Sequence, residues 1–176
     1  MNVKAAAAAP TDEAVSSGRP RVAIVKIQPD TVLEGYGNAM RLAGYRAAVS
    51  PEIATALKVN ISWHHWYPAC SSAPWQIDGV LRTLIDDGYS TSSIFAAHNR
   101  TVVVSAKTGE RANKHINVVE EYGIENVHLY EDLDWITYTP KSEMLALDSV
   151  FPEGIRIPRR LVGANVIHLP TVKTHV

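Results

Sequence analysis

Apolar positions along the chain keep two rhythms, and the rhythms alternate. The run Arg21–Ile27, RVAIVKI, is rich in β-branched residues and predicts a first strand, broken by Pro29 and Asp30. Thr31–Leu42 carries Val32, Tyr36, Ala39 and Met40 at helical spacing, and Gly44 suits the end of that helix. Ala54–Ile61 predicts a second strand, centred on Leu57–Ile61, and Ser62–Ala73 reads as a loop. Pro74–Asp87 is a strong helix: Pro74 fits its first turn, Ile77, Val80, Leu81, Leu84 and Ile85 form one stripe, and Gly88 suits its end. Ser93–Ala97 and Thr101–Ser105 are apolar runs that form one interrupted strand or two. Gly109–Tyr122 predicts a helix with Ala112, Ile116 and Val119 inward. Val127–Tyr130, Trp135–Thr139 and Val166–Leu169 read as strands, Ile155–Ile157 as extended, and Arg159–Gly163 as one helical turn. Strands alternating with helices predict an α/β fold: a mostly parallel or mixed sheet with helices packed on it.

Size and charge narrow the class. The chain has 176 residues, which is one domain's worth and long enough to bury a core. Residues 1–20, MNVKAAAAAPTDEAVSSGRP, read as a disordered tail, and residues 21–176 as the single α/β domain. The alanine run Ala5–Ala9 stops at Pro10, short of the roughly 7–15 larger apolar residues of an export signal. With 17 Lys+Arg against 18 Asp+Glu the net charge is −1, which excludes a generically basic nucleic-acid binder. No apolar run approaches the roughly 18–20 residues of a membrane span. Cys70 is the single cysteine, so neither an internal disulfide nor a cysteine-only zinc or iron–sulfur site can form within the chain. A reducing, cytoplasmic setting is expected.

The densest chemistry lies in Lys58–Trp75, KVNISWHHWYPACSSAPW. Lys58 and Asn60 stand two apart at a strand end, on one face, where open α/β sheets bind ligands. Lys58 can meet an anion, and Asn60 offers both a donor and an acceptor. The bland alternative is an edge lysine beside a turn asparagine. His64, His65 and Cys70 are the weak candidates for a metal ion, with a packed Trp/His/Tyr loop as the alternative. Cys70 is also a candidate nucleophile near a helix start. Ser71 and Ser72 precede the same helix and suit an anion cradle or a simple cap. His98 and Asn99 follow another strand, as a turn or as a second wall of the site. Lys173 and His175 follow the last strand. Three such clusters suggest convergence on one crevice. No P-loop, Gly-x-Gly-x-x-Gly turn or Gly-x-Ser-x-Gly elbow is present.

The C-terminal run RIPRRLVGANVIHLPTVKTH resembles the signature of the family called domain of unknown function 362. The phrase Leu169–Pro170 followed by Lys173–Thr174–His175 carries the resemblance, supported by Leu57–Asn60 and by the helix after Ser72. It covers roughly residues 21–176. It implies an α/β fold and a site at these positions, and says little about the reaction. Members continue beyond the Lys-Thr-His phrase, so the chain resembles an N-terminal portion of one and its domain is expected to be incomplete. Some members carry a ferredoxin-type cysteine cluster that this chain lacks.

Three functional readings follow. The first is a cytoplasmic protein with a small-molecule or anion site at the strand ends: Lys58 and Lys173 hold the anion, and His175 transfers a proton. The second is a metal-binding or iron–sulfur-associated protein using His64, His65, Cys70 or His175. The third is an interaction module anchored by Trp63, Trp66 and Tyr67, as a homo-oligomer or with a partner covering the Trp-rich loop.

Overall fold

Parallel pairing organises the computed structural model, which describes residues 21–131, 134–140 and 142–174. The strands are β1 (Thr55–Val59), β2 (Ile94–His98), β3 (Glu125–His128), β4 (Trp135–Tyr138), β5 (Ile155–Pro158) and β6 (Asn165–Leu169). The helices are α1 (Val32–Ala43), α2 (Pro74–Asp86), α3 (Ala106–Ala112), α4 (His115–Glu121) and the short α5 (Leu147–Val150). Four strands form a sheet in the order β3-β2-β1-β6, every neighbour pair parallel. The fold is therefore α/β, as the alternation predicts. The helix α2 carries the chain from β1 to β2, and α3 with α4 from β2 to β3, since parallel strands need such crossovers. Strands β4 and β5 pair antiparallel in a separate two-stranded sheet.

One face of the four-stranded sheet holds the main core. Leu57, Val59, Ile94, Ala96 and Leu169 from the strands meet Ile77, Val80, Leu81 and Leu84 of α2 and Val118 and Val119 of α4. Each large apolar side chain so buried contributes about 1.5–3 kcal/mol. The opposite face carries a smaller cluster, Ala56, Phe95, Ala97, Val127 and Leu129, with Leu161 against it. There the Arg160 guanidinium lies 4.8 Å from the Phe95 ring centre and pairs with the Glu125 carboxylate. Gly79 lets α1 close on α2, because a Cβ there would come 3.0 Å from the Leu33 carbonyl and the Tyr36 side chain. A left-handed Gly44 (φ 75) ends α1. Just beyond, Arg41, Arg46 and the Tyr45 hydroxyl converge on the Asp87 carboxylate at the end of α2. Burial alone would raise that carboxyl; the hydrogen bonds outweigh it and hold it at about 2.

Three expectations need correction. Arg21–Ile27 is extended but joins no sheet; it runs beside α1, where Arg21 donates to the Leu42 carbonyl and Ile27 faces Gly35. Its outward side chains stay bare, Ile24 at 91% exposure. Thr101–Ser105 is a loop, whose Thr101 hydroxyl accepts from the Val104 amide. The helix expected over Gly109–Tyr122 is two, α3 and α4, parted at Asn113 and a left-handed Lys114 (φ 61). The side-chain amide of Asn113 donates to the carbonyls of Gly109 and Trp63, so this residue serves the loop after β1 as well as its own helix. The expected tail over 1–20 lies outside the described residues. Among the described residues no helix is long and apolar enough to cross a membrane.

Candidate functional site

The carboxyl ends of β1, β2, β3 and β6 lie along one edge of the sheet. From β1 the chain steps outward through β2 to β3, then returns to place β6 on the other flank of β1. The strand order thus reverses between β1 and β6, the point at which open α/β sheets leave a crevice. Two segments shape that crevice: the loop 60–73 after β1 and the tail 170–174 after β6.

Hydrogen bonds fasten both segments. The Asn60 amide donates to Ser72 Oγ at 2.9 Å, and the Ser72 amide returns a bond to the Asn60 carbonyl at 2.9 Å. The Ser72 hydroxyl donates to the Leu169 carbonyl, joining the ends of β1 and β6. Ser71 Oγ accepts from the Ser62 amide, and Asn60 Nδ2 donates to Ser62 Oγ. Lys173 Nζ donates to Ser62 Oγ and to the Cys70 carbonyl, strapping the tail to the loop. From beneath, His115 Nε2 donates to the Ser72 carbonyl at 2.6 Å, and burial pulls the pKa of this fully enclosed imidazole down.

Between the fastened segments lies a cavity of about 410 Å³ with aromatic walls: Tyr36 from α1, Trp66 and Tyr67 from the loop, and Trp75 from α2. Asn113 and Val172 complete it. Trp66 and Tyr67 are 63% and 68% exposed, and the chain turns just after them at a left-handed Ala69 (φ 56).

At the other end of the same edge the polar side chains close on one another. Glu110 of α3 is buried, and its Oε2 accepts from Asn126 Nδ2 and from His128 Nε2, each at 3.0 Å. With its amide nitrogen turned to Glu110, Asn126 accepts through Oδ1 from His98 Nε2 at 2.8 Å. The His98 and His128 rings stack at 5.3 Å. Burial, opposed by the nearby Glu110 charge, pulls the pKa of His98 down to about 4, so it is neutral at pH 7.

The expected residues divide accordingly. Ser71 and Ser72 line the β1/β6 cavity, but their side-chain oxygens serve backbone groups, and neither caps α2, whose N-cap is Ala73. Lys173 straps the tail after β6 to the loop after β1, and Asn60 bonds within that loop, to Ser72 and Ser62. Lys58 sits in register with His168 on the opposite sheet face from Val59; its ammonium donates to the Val59 carbonyl, and burial lowers its pKa. His98, expected as a ligand contact, is 2% exposed and bonded within the scaffold, so it has no route to a ligand. Asn99 is exposed beyond it. The His64 and His65 rings lie 4.4 Å apart, tilted by 51°, in the loop with Trp63, and Cys70 is half-buried. Among the described residues no three His, Cys, Asp or Glu side chains are grouped as a metal ion would require. His175 lies outside the described residues.

Sequence reasoning missed Tyr36, Trp75 and Asn113 as cavity walls, and Glu110, Asn126 and His128 altogether. The spacing of two between Asn126 and His128 at a strand end was a usable signal. Glu110 gave none, being one acidic residue on a helix. Comparisons with family models, with curated proteins and with solved structures found no match.

Proposed function

We propose that the protein binds a small organic molecule in the β1/β6 crevice, one with a flat apolar body and a polar or anionic end. The observation that carries this is the coincidence of the aromatic cavity with the reversal of strand order. Four aromatic rings offer faces and edges to a planar ligand, and stacking of this kind contributes about 0.5–1.5 kcal/mol per ring beyond burial. The Lys173 ammonium, on the strap beside the cavity, supplies a cation for an anionic end. The resemblance to domain of unknown function 362 belongs to the same proposal: its two phrases, Leu57–Asn60 and Leu169–Pro170 followed by Lys173–Thr174–His175, begin at the ends of the two strands that flank the crevice. So does the cytoplasmic setting.

The aromatic, anionic dye anilinonaphthalene sulfonate tests the reading. Its fluorescence should rise saturably with the protein and lose most of that rise in Trp66→Ala and Trp75→Ala. Unchanged dye binding in both variants would remove the crevice as a ligand site. A second reading rests on the exposure of Trp66 and Tyr67, which suits a protein anchor. It would be favoured by an oligomer that dissociates in Trp66→Ala.

A further inference from the structure

A second cavity, of about 400 Å³, opens over the carboxyl end of β2 and shares no lining residue with the aromatic crevice. Its walls are the loop 100–105, Ala106 and Lys107 at the start of α3, and Tyr130 after β3. Its charged and aromatic side chains are two cations and a phenol: Arg100, Lys107 and Tyr130. Arg100 makes no hydrogen bond or ion pair with a described residue, and its charge acts on the Tyr130 hydroxyl. Lys107 is paired with Glu131 at 2.6 Å, both half exposed, and an exposed pair of that sort is weak and readily exchanged. Burial raises the Tyr130 pKa, so at neutral pH its hydroxyl keeps its proton and can donate.

The wall is held from behind. The His128 ring meets Tyr130 edge-on at 5.6 Å, and Glu110 fixes His128 through Nε2. Among the described residues Glu110 is the buried carboxylate nearest this wall, bonded to His128, and its charge is already met by two donors. Val102 and Val103 stand exposed at the rim, an apolar border suited to the carbon skeleton of a ligand whose charged end points inward.

We propose that this cavity is a second ligand site, for the compact oxyanion of a small molecule, a phosphate or a carboxylate, with Arg100 and Lys107 as its cationic contacts and Tyr130 as its hydroxyl donor. A guanidinium free of partners among the described residues matches either oxyanion in a two-bond geometry, and the ammonium adds a point charge. The site stands independently of the aromatic crevice, since no residue is common to both.

The test is a titration of isotopically labelled protein with inorganic phosphate, with acetate and with chloride, followed by NMR at the Arg100 side chain and the Tyr130 ring. Phosphate or acetate should shift both signals saturably, while chloride at equal ionic strength should not. Tighter phosphate binding assigns the site to phosphate-bearing ligands, and tighter acetate binding assigns it to carboxylates. Arg100→Ala and Lys107→Ala should each weaken the preferred anion by roughly fivefold or more, the loss of one charge-assisted contact. Lys26→Ala, on the exposed extended segment, should leave it unchanged. Shifts that never saturate, that chloride reproduces, or that Lys26→Ala reduces as much as Arg100→Ala would overturn the proposal.

Discussion

The two ends of the sheet's carboxyl edge start from the same kind of sequence and finish differently. Beyond β1 and β6 the polar groups bond to backbone and hold two loops apart, leaving an aromatic hollow between them. At β2 and β3 the polar groups bond to one another and fill the space between strand and helix, and the second cavity lies beyond them, over the loop 100–105. A polar residue after a strand is therefore no sign of a ligand site by itself. The outcome depends on whether a helix from the next crossover brings a partner down on it. Here α3 brings Glu110 to His98 and His128, while nothing comparable reaches Trp66 or Tyr67.

Breaking the closed end should have the largest effect. Glu110→Ala strands the Asn126 and His128 donors in a buried setting and should cost about 1–3 kcal/mol for each stranded donor in urea unfolding. A cost below about 0.5 kcal/mol, the size of an ordinary surface change, would mean that the network carries no weight.

Acid should find the same weak point. The folded-state pKa of His98 lies below its ordinary value, at about 4, and that of His115 is also lowered. Their unfolded forms therefore take up protons first as the pH falls. Stability is undisturbed above about pH 6.5 and declines from there toward about pH 4, by on the order of 1–3 kcal/mol. His98→Leu should flatten that decline, whatever it costs at pH 7; an equally steep decline in the variant would assign it elsewhere.

At the open end a strap matters more than a wall. Ser72→Ala removes the acceptor of the Asn60 amide and the donor to the Leu169 carbonyl, and should cost about 1–3 kcal/mol. Trp66→Ala should change stability by less than about 0.5 kcal/mol, because the ring is largely exposed. Differential scanning calorimetry of the two variants checks the order; equal losses would mean that Trp66 is part of the core.

Much of this architecture is legible in the chain. The helix from Pro74 is marked by its proline and its apolar stripe, and it ends at Asp86 against an expected Asp87. The parallel strands show as short apolar runs between helices. Arg21–Ile27 has the composition of a strand but no pairing, because pairing is a property of the neighbour and not of the segment. The break at Asn113 is hidden for a similar reason: its side chain answers the Trp63 carbonyl, 50 positions away in the chain. Lys58 and Asn60 stand at the end of β1 and Lys173 four residues beyond β6, and their bonding depends on loop conformations that no spacing reveals.

The contrast between an open and a closed end is tested most directly by hydrogen exchange of the whole chain with and without saturating anilinonaphthalene sulfonate. The dye should slow exchange in residues 66–76 and 170–173, the two sides of the β1/β6 crevice, and leave 94–98 and 110–128 as they were. Protection confined to the β2/β3 end, or none at either, would contradict the assignment of ligand binding to the reversal of strand order.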